Sequence, residues 1–169
     1  MKRSQKRFVG IDPSTKTGIV VLSEQGEVIE SKEITTTEKE DPKRMMDIAK
    51  KVINNLWFYD VICIEGFSYG SRGAGVSTQY GIGWLIRAEL IRNGYTYYEV
   101  APSAVKKFAT GKGNTKKDEM VLPIYKKWGF EHSSDNVRDA YVLAQIAKAI
   151  HNQEGLKAYQ MDVMKKVIA

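Results

Sequence analysis

The chain has 169 residues, 43% of them apolar, with 26 Lys and Arg against 20 Asp and Glu for a formal net charge of +6, and its pI is about 9.3. That length supports one domain with a sizeable core, residues 1–169, leaves little room for a second, and carries a basic balance that favours a polyanionic partner. The single Cys63 excludes an intramolecular disulfide, and His132 and His151 alone cannot complete a Cys/His zinc cluster, so the expected compartment is a reducing cytoplasm.

The basic start, Met1-Lys2-Arg3-Ser4-Gln5-Lys6-Arg7, leads into an apolar run from Phe8 that stops at Asp12-Pro13, too short for a signal-peptide core. No apolar stretch approaches the roughly 20 residues of a membrane span, and no membrane partner is expected. Three strand-like runs follow one another as a meander: Arg7 to Asp12, Gly18 to Ser23 and Glu27 to Ile34. Asp41-Pro42 supplies an N-cap and a first-turn proline, and Met45, Ile48, Ala49, Val52, Ile53 and Leu56 recur at helical spacing, which predicts a helix over Pro42 to Trp57.

Val61 to Ile64 is a continuous apolar run typical of a strand buried on both faces, and it ends in Glu65. A loop from Phe67 to Gly75, with Gly70, Gly73 and Gly75 around Arg72, is long enough to reach a ligand. The helix expected from Thr78 to Asn93 carries apolar residues on two sides: Tyr80, Trp84, Leu85 and Ile91 on one, Ile82, Ile86 and Leu90 on the other. It suits either two internal partners or a helix pair across a two-fold axis, with Gly81 and Ala88 admitting a close backbone. Tyr95 to Val100 is a last strand. Helices follow over Pro102 to Phe108, Thr115 to Trp128, Asp135 to His151 and Lys157 to Ile168. The order describes an α/β domain, a mixed five-stranded sheet with helices on both faces.

Acidic residues occur where acids should be rare. Asp12 and Glu65 end strands with apolar flanks, and ligands gather at the carboxyl ends of strands in such sheets. Asp135 and Asp139 are four apart on the helical stripe that continues through Val142, Leu143, Ile146 and Ile150. Capping by Ser133 or Asp135, and pairing of Asp135 with Arg138, account for part of Asp135 but not for Asp139. Four acids without a Cys or His set suit a hard cation such as Mg²⁺, whose chemistry on a polyanion is phosphodiester hydrolysis. Between Ala101 and Phe130 seven lysines face only Asp118 and Glu119. Lys106, Lys107, Lys112, Lys116 and Lys117 flank Gly111-Lys112-Gly113-Asn114, a loop expected to approach phosphates.

Phe8-Val9-Gly10-Ile11-Asp12-Pro13-Ser14 with Thr17-Gly18, Val61-Ile62-Cys63-Ile64-Glu65, Ala101-Pro102-Ser103 with Val105-Lys106-Lys107, Gly111-Lys112-Gly113 and Asp139-Ala140 together resemble motifs of the RuvC-like Holliday junction resolvases, bacteriophage branch, within the RNase H-like superfamily. The resemblance implies an RNase H-like fold and a homodimer that binds four-way DNA junctions and nicks two strands. It also implies Mg²⁺ or Mn²⁺ held by Asp12, Glu65 and Asp139 with Asp135. Phage encoding would place it in the host cytoplasm. Many relatives space the last two ligands three apart, which picks Asn136 with Asp139, so Asp135 and Asn136 are both candidates. Bacterial relatives carry a junction-probing aromatic just after the second motif; here Phe67 and Tyr69 bracket that place, which Ser68 occupies. The competing readings are a non-catalytic branched-DNA-binding module, against which the four acids argue, and a nucleotide phosphatase or small ATPase, against which the basic stretch and the length argue.

Overall fold

The computed structural model describes residues 5–169; the first four residues of the basic start lie outside the described residues. Strands β1 (Phe8–Asp12), β2 (Thr17–Leu22) and β3 (Val28–Ile34) form the expected meander. Helix α1 (Lys43–Ile53) leads to β4 (Val61–Glu65), and α2 (Val76–Arg92) crosses to β5 (Tyr98–Val100). The rest is helical: α3 (Pro102–Thr110), a 3-10 turn over Asp118–Met120, α4 (Val121–Trp128), α5 (Asp135–His151) and α6 (Ala158–Val167). The sheet order is β3-β2-β1-β4-β5. β1, β2 and β3 pair antiparallel, whereas β4 runs parallel to both β1 and β5.

Side chains alternate between the two faces of this sheet, and each face has its own core. Phe8, Val20, Leu22, Cys63 and Val100 pack under α3, α4, α5 and α6. Val9, Ile11, Ile19, Val21, Ile62 and Ile64 pack under α1 and α2 through Ile48, Val52, Ile82, Ile86 and Leu90. No helix among the described residues is long and apolar enough to cross a membrane.

Several boundaries differ from the sequence expectation, each for an identifiable reason. α1 stops at Ile53, not Trp57, because Asn55 Nδ2 takes the Lys51 carbonyl at 2.8 Å and Arg7 Nη2 takes the Asn55 carbonyl at 3.0 Å. Pro42 rather than Asp41 stands at its N-cap, and the Asp41 carboxylate pairs with Arg44 at 2.7 Å. β5 begins at Tyr98 because Gly94 turns left-handed at φ 81° and the Tyr95 amide closes α2 on the Leu90 carbonyl at 2.9 Å. The two-sided α2 buries Ile82, Ile86 and Leu90 and leaves Trp84 and Ile91 exposed. Gly81 admits a side chain of this same chain, since a Cβ there would lie 2.5 Å from Met45 Sδ.

Candidate metal centre and nucleic-acid interface

Parity along two neighbouring strands brings the first acids together. Phe8 and Gly10 face α5, so Asp12 falls on that side, and Cys63 carries Glu65 to the same side of β4. β1 and β4 run parallel with Gly10 opposite Cys63, so Asp12 and Glu65 leave the sheet side by side at its carboxyl edge. α5 lies directly on β1: a Cβ at Gly10 would sit 1.9 Å from the Ala140 carbonyl oxygen, which makes glycine obligatory there. That close approach, next to Asp139 in sequence, lowers the Asp139 carboxylate onto the strand ends. One oxygen from each of Asp12, Glu65 and Asp139 lies within 4.8 Å of the others.

Three like charges in a poorly hydrated place resist ionisation. Burial, then the charges of Glu65 and Asp139, hold the Asp12 carboxyl well above the usual carboxylate range. Burial and the Asp139 charge push Glu65 up to about 7. Burial pushes Asp139 up to about 6, against the opposing pull of Lys117. Glu65 Oε2 is buried without a hydrogen-bond partner, alone in this among side-chain atoms of the described residues. An oxygen-only cluster with an orphaned carboxylate oxygen is what a hard divalent cation satisfies, and the donor set fits such an ion. Beside the triad a cleft of about 60 Å³ is lined by Pro13, Phe67, Ser68, Gln79, Tyr80 and Arg87 among others.

Asp135 lies apart from this cluster. Its Oδ2 accepts from Lys117 Nζ at 2.7 Å, and this hydrogen bond holds its carboxyl below the usual range. The expected Asp135–Arg138 pair does not form; Arg138 Nη1 donates to the His132 carbonyl at 2.9 Å instead. The N-cap of α5 is Ser134, neither Ser133 nor Asp135, and its Oγ accepts from the Val137 amide at 3.3 Å. Asn136 is also engaged elsewhere, donating to Ser14 Oγ at 3.0 Å and to the Lys16 carbonyl at 2.9 Å, which ties α5 to the β1–β2 turn.

Of the basic segment, Lys106 and Lys107 are half-buried on α3, whereas Lys112, Lys116 and Lys117 are exposed. Lys107 Nζ stands 3.7 Å from Asp162 of α6. In the loop after α3 the Lys112 backbone is engaged by threonine side chains. The Lys112 amide donates to Thr110 Oγ1 at 3.1 Å, and Thr115 Oγ1 donates to the Lys112 carbonyl at 2.9 Å. Arg72 is exposed in the loop after β4. The two candidate aromatics differ: Tyr69 is 81% exposed, whereas Phe67 stacks on Tyr80 at 5.0 Å and packs against Trp84 at 4.8 Å.

Two features escaped the sequence reading. One is the Lys117–Asp135 pair, across 18 residues. The other is Arg87, fully buried on α2 beside the triad; its only sequence signal is a charge on the stripe shared by Ile82, Gly83, Ile86 and Leu90.

The family model described as "Crossover junction endodeoxyribonuclease RuvC" matches residues 8–146. Among solved structures, Thermus thermophilus RuvC superposes with a TM-score of 0.66 at 20% identity, over 86% of this chain and 95% of that one. T. thermophilus RuvC in complex with Holliday junction substrate gives 0.64 at 18% identity, over 93% and 96%. The yeast mitochondrial Holliday junction resolvase Ydc2 gives 0.55 at 17% identity, over 94% and 83%. At these identities the likeness is one of fold, and it matches the mixed five-stranded sheet. No curated protein matches the chain.

Proposed function

Because the chain belongs to the RuvC family of crossover junction endodeoxyribonucleases, we propose that it resolves Holliday junctions by paired nicks, as a Mg²⁺-dependent homodimer of one nuclease domain spanning residues 1–169. Asp12, Glu65 and Asp139 are its metal ligands. The observation that carries this reading is the convergence of three carboxylates within 4.8 Å at the sheet edge, one of their oxygens buried and unpartnered. Mn²⁺ has the same preference for oxygen donors and should substitute. The place of action is the cytoplasm, that of the host if the chain is phage-encoded.

The chemistry supplied on binding a divalent cation is charge stabilisation at the scissile phosphate and a lowered pKa for the attacking water. The chain's own residues do the rest. Asp12, Glu65 and Asp139 present their oxygens from three elements that the close α5–β1 packing locks together, so little reorganisation accompanies the reaction. Asp135 orients Lys117. Partial desolvation by its neighbours works against the Lys117 cation, but its hydrogen bond to Asp135 and the charges of Asp135, Asp139 and Asp12 keep its pKa above the ordinary value. It thus stays protonated beside the triad, where an incoming phosphate needs a counter-charge. Lys106, Lys107, Lys112 and Lys116 hold the strand by its backbone, and Tyr69 and Arg72 face the branch point, with Phe67 packed beneath them. Two nicks require two sites, and the exposed Trp84 and Ile91 of α2 offer a self-complementary surface.

The test is incubation of the purified protein with synthetic four-way, three-way and linear duplex DNA, with and without Mg²⁺. Paired nicks confined to branched substrates and abolished without the ion are expected. Tight junction binding without any cleavage would replace the nuclease by a binding module of the same fold.

A further inference from the structure

Arg87 is the largest fully buried side chain among the described residues, 2% exposed on α2 next to the end of β4. Its guanidinium is used on every side. Nε donates to Glu99 Oε1 at 2.6 Å, Nη1 to the Gly83 carbonyl at 3.0 Å, and Nη2 to the Glu65 carbonyl at 3.0 Å. The Phe67 ring covers one face, with its centroid 4.3 Å from Cζ. One cation therefore grips the backbone of a triad residue and the aromatic ring two positions later. Between them the Gly66 amide is pinned to the Val100 carbonyl at 2.8 Å.

Stability alone does not explain such a group. Its ion-pair partner Glu99 is half exposed, so the pair is only partly buried, and an apolar side chain of the same volume would fill the Arg87 space without the desolvation penalty. What only a guanidinium offers is several N–H donors in one plane together with a flat face for a ring. Gly83 supplies the other half of the arrangement. A Cβ there would lie 2.5 Å from Phe67 Cε1, so the ring rests directly on the backbone of α2. Tyr80 stacks on the ring and Trp84 packs against it at a tilt.

We propose that Arg87 is a positioning residue for the Glu65–Phe67 segment. It sets the direction in which the Glu65 carboxylate enters the triad, and with Gly83 it seats Phe67 as a fixed platform from which Tyr69 projects. The role rests on the nuclease reading above, but it makes claims about the free protein that do not need cleavage to be tested.

Three variants separate the parts. Arg87→Lys keeps the charge and loses the planar fork, Arg87→Met keeps the volume and loses both, and Gly83→Ala mainly displaces the ring, its Cβ reaching 2.5 Å from Phe67 Cε1 but 3.3 Å from Arg87 Nη1, which need give only a few tenths of an ångström. Each is followed by circular dichroism and thermal melting, Mn²⁺ calorimetry on the DNA-free protein, junction binding in Ca²⁺, and single-turnover cleavage with protein in excess. Arg87→Lys and Arg87→Met should keep junction affinity within about twofold, weaken Mn²⁺ about tenfold and slow cleavage at least about tenfold, the scale of lost support behind a metal ligand. Gly83→Ala should keep Mn²⁺ affinity and slow cleavage. Alanine raises helix propensity, so slow cleavage with an undiminished melting temperature does not arise from a weakened fold. Wild-type Mn²⁺ affinity and cleavage rate in Arg87→Lys would overturn the proposal. If neither Arg87 variant folds, wild-type cleavage by Gly83→Ala overturns it. If the wild-type protein cleaves no junction, that failure belongs to the nuclease reading, and the Mn²⁺ calorimetry still decides the role of Arg87.

Discussion

Lys117 Nζ and Asp135 Oδ2 lie 2.7 Å apart, joining the basic segment to the first turn of α5 one turn before Asp139. The pair occupies Asp135 as a partner of the lysine and leaves Asp139 to the triad. Asp135→Asn should therefore leave Mn²⁺ affinity within about twofold and reduce cleavage through the released Lys117 by about tenfold, the scale of a lost supporting contact. Asp139→Asn should abolish high-affinity Mn²⁺ binding. Equal losses in calorimetry would make Asp135 a ligand as well.

Amide replacements in the triad test the chemistry. Asp12→Asn, Glu65→Gln and Asp139→Asn keep shape and remove a negative charge, so cleavage should fall on the order of 10³-fold, several kcal/mol of transition-state stabilisation. Junction binding should persist or tighten, because a carboxylate that repels the approaching phosphate is gone. Ca²⁺ should support binding but not efficient cutting. Near wild-type cleavage by Asp12→Asn or Glu65→Gln would remove the carboxylates from the mechanism.

In EDTA the cluster titrates unaided. A carboxyl whose folded-state pKa lies above its unfolded value binds its proton more tightly when folded, so acidification stabilises the fold. Glu65 is pushed up to about 7 and Asp139 up to about 6, against unfolded values near 4. Stability should rise as the pH falls from about 7.5 through these values and level off in the ordinary carboxylate range. Glu65 should contribute on the order of 2 kcal/mol to that rise. Urea midpoints at about pH 7.5 and 5.5 should show it for wild type and a flatter change for Glu65→Gln. The same slope in both proteins would contradict the assignment.

Lys106, Lys112 and Lys116 have no ion-pair partner among the described residues, whereas Lys107 faces Asp162 and Lys117 faces Asp135. Replacing the first three by Ala should flatten the dependence of log K on log salt by about 2.7, at about 0.9 per phosphate. Lys107→Ala should change it less, since Asp162 already neutralises that charge. An unchanged slope in the triple variant would take the segment out of the interface.

Ile91 and Trp84 are 65% and 58% exposed on α2. Trp84 also packs against Phe67 at 4.8 Å, so Ile91→Glu is the cleaner probe of dimerisation. Sedimentation velocity should find a wild-type dimer at micromolar concentration and an Ile91→Glu monomer. A wild-type monomer both free and on a junction would exclude the α2 pairing.

Much of this molecule was legible along the chain because its signals are local. Apolar runs that end in Asp12 and Glu65 announce strand-end acids, and the 3.6-residue stripe of α5 announces that Asp139 faces inward, since periodicity reports which side of an element is buried. The lysine-rich stretch is likewise a count within a window. Helix ends were less legible: α1 stops where Arg7, 48 residues away, takes the Asn55 carbonyl. What only the tertiary structure decided are partnerships between side chains far apart in sequence. Asp135 and Asn136 flank Asp139 on a helical wheel, at i−4 and i−3, yet Lys117 takes one and Ser14 the other. Arg87 stands on the apolar stripe of α2, but only the end of β4, which puts a carbonyl against it, and Phe67, which puts a ring there, show what a buried charge does at that place. A residue's periodicity tells that it is buried; only the packing of α5 on β1 and of α2 beside β4 sets what it is buried against, and that neighbour determines whether a charge binds a metal, pairs, or holds its surroundings in place.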